Sequence, residues 1–136
     1  MVVKILKSIF DGIIEHAETG YPEEVCGVLI GKEGTINEFR KCRNLNRERA
    51  KDRYELDPIS FQESDNWARV NNLEILGIYH SHPDHPSLPS EFDRSHAWSV
   101  WIYIIFSISN GRFNDARAWL LDDSKHTFKE NLIDLL

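Results

Sequence analysis

His80 and His82 stand two residues apart at the end of the apolar stretch 74–80, so on a strand their imidazoles project to one face. Two imidazoles on one face at a strand-to-loop transition are half of a metal site. Asp93 follows His82 with ten residues between, where a helix would open. Two histidines and a carboxylate make three ligands and leave a fourth tetrahedral position for water, the layout of a catalytic zinc site. Zinc in such a site lowers the pKa of its water from about 15.7 to about 7. Metal-assisted hydrolysis also needs a proton carrier that is not a ligand, and Glu24, just before an apolar run at Cys26, is the candidate. Each piece has a plainer reading. An isolated H-x-H pair is common in surface turns, Glu23 and Glu24 could be a solvated loop, and Ser90-Glu91-Phe92-Asp93 reads as a helix N-cap with a first-turn carboxylate. A capping role and a functional role for Ser90 are compatible.

The elements that must position these residues follow from periodicity. Ile5, Leu6, Ile9, Phe10, Ile13, Ile14 and Ala17 recur at helical spacing, which predicts an amphipathic helix over 4–19, stopped by Gly20 with Pro22 beyond. Residues 26–31 form a short buried strand, and a second strand at 35–42 follows a turn at 32–34. Residues 44–52 are a charged loop, 53–57 alternate like a half-buried strand, and Pro58 opens a helix carrying Phe61, Trp67 and Val70. Residues 81–90 hold three of the five prolines and are neither helix nor central strand. A helix over 90–98, a strand over 100–107 and a hairpin partner over 112–121 follow. Residues 127–136 read as a last strand with a helical end. The alternation implies an α/β fold, a single domain over 1–136 with a mixed central β-sheet flanked by helices.

Composition narrows the function classes. The chain has 136 residues, 16 Lys+Arg against 22 Asp+Glu, and a net charge of −6; its Lys/Arg runs stop at two, which disfavours a nucleic-acid binder. Its longest apolar run, 100–106, is seven residues, far short of the ~20 of a membrane span. No apolar signal core opens the chain, and two cysteines, Cys26 and Cys42, are too few for a disulfide scaffold, so a cytoplasmic protein is expected.

Glu24-x-Cys26-Gly27 before an apolar strand, His80-Ser81-His82-Pro83, and Pro89-Ser90-Glu91-x-Asp93 together resemble the JAMM (MPN-plus) zinc metallopeptidases, in their short prokaryotic branch. The resemblance extends over nearly the whole chain, through R-Y-E-L-D-P at 53–58 and A-R-A-W at 116–119. It implies one zinc per chain held by His80, His82 and Asp93, with Glu24 as the general acid/base on the metal-bound water. It also implies a cytidine-deaminase-like fold and makes Ser90 the hydroxyl that steadies the oxyanion. Ser81 falls where the family carries Ser or Thr, while His85 and His96 match no ligand position.

The resemblance further implies a peptidase or isopeptidase acting at the C-terminus of a ubiquitin-like or sulfur-carrier protein. A Gly-Gly tail of that kind suits a narrow groove or an added strand at a sheet edge. Carrier processing, including cysteine release, ranks ahead of deconjugation. Three rival readings remain. A noncatalytic module binding a ubiquitin-like protein would carry a defective ligand set, whereas this set is intact. A thiol hydrolase would need Cys26 reactive, although it opens a buried strand. A zinc deaminase would need a P-C-x-x-C pair, which is missing. The loop 44–53, with Arg40 and Arg43, offers partner contacts or plain solvation.

Overall fold

The computed structural model describes residues 2–122, 124 and 127–136. Seven strands and three helices follow in the order β1 (Val2–Ile5), α1 (Lys7–Gly20), β2 (Cys26–Lys32), β3 (Thr35–Cys42), α2 (Pro58–Val70), β4 (Glu74–Pro83), α3 (Glu91–Ser95), β5 (Ile102–Ser109), β6 (Arg112–Asp122) and β7 (Thr127–Leu135). The strands pair in the order β1-β3-β2-β4-β5-β6-β7, and β7 closes on β1. The sheet is mixed: β4 runs parallel to β5, and β1 parallel to both neighbours. The expected α/β architecture, a central sheet with helices on it, is the one observed.

Strand alternation sends side chains to two cores. Phe10, Ile13 and Ala17 of α1 pack with Leu29, Tyr79, Ile104 and Phe106 on one face. Cys26, Val28 and Ile30 face the other way and pack with Ala68 of α2, Ile78 and Tyr103. Each such aliphatic side chain removed from water contributes about 1.5–3 kcal/mol, which is why β2 is apolar at nearly every position. His80 and His82 share the parity of Ile78, so β4 presents them on the α2 side. Two tight hairpins tie the strands together. Their turns, Glu33-Gly34 and Asn110-Gly111, have positive φ at both central residues, the geometry that matches strand twist.

Four boundaries differ from the sequence expectation. The helix expected over 4–19 begins at Lys7, because Val3 and Ile5 are buried in a strand that pairs with β3 and β7. Residues 53–57 form no strand; an isolated bridge joins Asn44 to Leu56, and the Asn44 side chain takes over bonds that a ladder would have made. The helix over 90–98 is the short α3, and β5 starts at Ile102, leaving Val100 79% exposed. The last segment has no helical end, since residues up to Leu135 pair with β1. Closure of the sheet gives every strand partners on two sides; among the described residues, the stretches paired on one side only include 37–42 of β3, 112–117 of β6 and, in β7, 127–131 with β6 alone and 132–135 with β1 alone.

Candidate active site

The two imidazoles meet a carboxylate carried by α3. Ser90 caps α3: its Oγ accepts from Asp93 N at 3.0 Å, and Asp93 Oδ2 accepts from Ser90 N at 2.9 Å. This capping box turns the Asp93 carboxylate back onto the end of β4. There Oδ2 lies 3.0 Å from His82 Nε2, Oδ1 lies 3.3 Å from His80 Nε2, and the two Nε2 atoms are 3.2 Å apart. All three residues are buried. Capping and convergence are therefore one arrangement: the bonds that cap α3 also bring the Asp93 carboxylate to the two imidazoles.

The fit to a metal ion can be tested on these distances. Tetrahedral donors 2.0–2.1 Å from zinc are separated by about 3.3 Å, close to the spacings found. Hydrogen bonding points the same way. The Pro86 carbonyl can only accept, so His82 Nδ1, 2.8 Å away, is the protonated nitrogen. In a neutral His82 the Nε2 lone pair then faces both the Asp93 carboxylate and His80. Only a cation between them, a metal ion or a second proton, makes that arrangement favourable. Burial acts against a charged His82, yet Asp93 outweighs it and raises the pKa; burial dominates at His80 and lowers it. Burial also opposes ionisation of Asp93, but the two histidines hold its carboxyl far below the usual range. The residues present fit a zinc ion. Among the described residues His80 Nδ1 has no hydrogen-bond partner; the Tyr54 ring, stacked at 4.5 Å, sets the plane of that imidazole instead.

Glu24 approaches from the segment just ahead of β2. Its carboxylate belongs to a group with the His80 and His82 nitrogens in which all donor atoms lie within 4.8 Å. It is 5% exposed, its Oε1 has no hydrogen-bond partner among the described residues, and burial pushes its pKa up to about 8 against the pull of His82. Three backbone clamps hold it there. Ser81 Oγ accepts from Val25 N at 2.9 Å, Asn44 Nδ2 donates to Glu24 O at 3.1 Å, and Glu24 N donates to Ala50 O. Gly27 permits the close packing behind, because a Cβ there would come within 2.4 Å of the Tyr79 hydroxyl.

Among the described residues, His16, His85, His96 and the two cysteines stand outside this cluster. His85 is exposed on the proline-rich loop, and His96 stacks on Phe92 at 4.1 Å. Cys26 is fully buried, its Sγ facing the Cys42 and Arg43 carbonyls, and burial drives its thiol pKa far up. That environment removes the thiol-nucleophile reading. Tyr54 and Asn44 were not singled out by sequence reasoning as parts of the site; Tyr54 was visible only as a letter within R-Y-E-L-D-P.

Comparison with known families agrees with this geometry. Residues 6–122 match the family model for prokaryotic homologs of the JAB domain. The chain belongs to this family. It is the short prokaryotic JAMM branch that the motifs resemble. The chain is 36% identical over 123 residues to the desampylase of Haloferax volcanii, covering 83% of this chain and 84% of that one. It is 32% identical over 129 residues to the CysO-cysteine peptidase of Mycobacterium tuberculosis, covering 93% and 87%. It also matches tail tip assembly protein K of Escherichia phage N15 at 35% identity over 85 residues, which is 62% of this chain; the match spans about a third, 32%, of the phage protein. Among solved structures, a protein from Desulfitobacterium hafniense superposes with a TM-score of 0.86 at 25% identity, over 100% of this chain and 93% of that one. A JAB1/MPN domain protein from Archaeoglobus fulgidus shares the fold, with a TM-score of 0.62 at 21% identity over 96% and 97% of the two chains.

Proposed function

We propose that residues 1–136 form one zinc-dependent peptidase domain that cuts a peptide or isopeptide bond at the C-terminus of a ubiquitin-like or sulfur-carrier protein. The observation that carries this reading is the set of spacings of 3.0, 3.2 and 3.3 Å among Asp93, His80 and His82, with the Glu24 carboxyl beside them. The relatives named desampylase and CysO-cysteine peptidase support the substrate class.

His80, His82 and Asp93 hold the metal. Asp93 is assigned as the third ligand because its carboxylate oxygens lie 3.3 Å from His80 Nε2 and 3.0 Å from His82 Nε2, at ligand spacing from both imidazoles. A bound zinc ion supplies Lewis acidity, polarising a carbonyl and lowering the pKa of water to about 7. Glu24 is the proton carrier: its unpartnered Oε1 takes the proton from the attacking water and delivers it to the departing nitrogen. The water oxygen bonds to the scissile carbonyl carbon, the C–N bond breaks, and the products are a carrier carboxylate and an amine. Ser90 spends a lone pair of its hydroxyl on the cap, so its proton stays free to donate to the developing oxyanion.

Glu24→Gln tests the assignment. The variant should bind zinc as the wild type does and lose turnover by about 10²–10⁴-fold. Turnover within a few-fold of wild type would remove Glu24 as the base, and loss of zinc would make it a ligand.

A further inference from the structure

The cleft at the site, about 510 Å³, has Glu24, His82, Ser90, Arg49, Asp52 and Arg53 in its lining. Arg49 is neutralised by its ion pair with Asp52. Arg53 is different. Among the described residues its half-buried guanidinium rests on the Phe92 ring, 4.9 Å from the centroid, with no carboxylate in ion-pair contact. The acidic groups lining the cleft are otherwise engaged: Asp52 is bound to Arg49 and Glu91 to Arg94, while Glu24 is assigned to the proton transfer. Asn44 Nδ2 donates to both Glu24 O and Arg53 O at 3.1 Å, so one side chain sets the position of the base and of this cation. A guanidinium held on an aromatic face keeps its fork of N–H donors for a planar anion.

We infer that Arg53 binds the α-carboxylate of the departing residue, which makes the chain a peptidase that releases a single C-terminal amino acid from its carrier rather than one that severs a lysine isopeptide. The inference rests on the hydrolase reading above and goes beyond it in naming the leaving group. A freed amino acid carries a carboxylate two bonds from its nitrogen, within the same cleft as the attacking water. A lysine side chain leaving through its ε-nitrogen presents no anion there, and an unneutralised arginine would have nothing to bind.

The test uses the zinc-loaded full chain. The probes are a ubiquitin-like carrier whose C-terminal Gly-Gly is extended by one cysteine as the free acid, and the same protein ending in cysteine amide. The wild type should prefer the acid by about 10- to 100-fold in kcat/KM, the range expected of a charge-assisted hydrogen-bond pair. Arg53→Gln should bring the preference close to one, and Arg53→Lys should retain part of it. Calorimetric titration of zinc-loaded Glu24→Gln with the two tails should show the same order in affinity. Equal cleavage of acid and amide, or a slowing of both in Arg53→Gln with the preference intact, overturns the inference and leaves the hydrolase reading standing. Failure to cleave either probe with zinc bound counts against the hydrolase reading and removes the inference with it.

Discussion

Replacing Ser81 with alanine separates the support of the base from the metal ligands. Ser81 lies between His80 and His82 but points the opposite way, is fully buried, and its Oγ accepts from Val25 N at 2.9 Å. Alanine leaves that amide buried without its acceptor, which costs about 1–3 kcal/mol. For a chain of this size the loss corresponds to a fall in Tm of roughly 4–12 °C. Unfolding should be followed in chelator, because zinc binds the folded state and would add its own stabilisation. The Ser81 N to Val25 O bond survives, as do the Asn44 and Ala50 clamps on Glu24, so the base shifts without being released. An ångström-scale misplacement costs kcat up to about 100-fold. Zinc affinity should be unchanged, since both imidazoles point away from this contact. Unchanged unfolding free energy would refute the assignment of this hydrogen bond, and lost zinc affinity would show that Ser81 acts on the ligands instead.

Other outcomes follow from burial and charge. Neither thiol should react with iodoacetamide at pH 8 in the folded chain, because burial raises both, Cys42 to about 11; labelling of Cys26 at the rate of an exposed thiol would revive a nucleophilic role. His16, packed against the Tyr79 hydroxyl, has its pKa lowered from 6.5 to about 4, first by burial and then by Lys41. Below pH 6.5 the unfolded chain binds a proton that the folded chain refuses until about pH 4, so stability falls as pH falls through that window. The urea midpoint of His16→Gln should therefore drop less than the wild type's between pH 7 and pH 5, and equal drops would contradict the shift.

How far the sequence reveals this molecule depends on how local each cause is. The strand Thr35–Cys42, helix α2 and the Asn110-Gly111 hairpin follow from patterns within a dozen residues, and the same-face placement of His80 and His82 needs only a strand. The opening strand does not: Ile5 fits a helical stripe, and pairing with residues 35–36 and 132–135 overrides it. Residues 53–57 alternate like a strand, but the Asn44 side chain takes their backbone bonds, which no periodicity encodes. In the cleft, His80, His82 and Asp93 stand out as candidate ligands by their spacing in the sequence. Glu24 is a candidate proton carrier from its place before the apolar run, with the family resemblance pointing to the same residue, whereas the stacking of Tyr54 on His80 and of Arg53 on Phe92 appears only when the chain is folded.

The central claim, that His80, His82 and Asp93 form a zinc site, is tested most directly by elemental analysis of the purified chain beside His80→Ala and Asp93→Ala. The account predicts about one zinc per wild-type chain and loss of it in both variants. No zinc in the wild type after supplementation, or full retention in either variant, would contradict it.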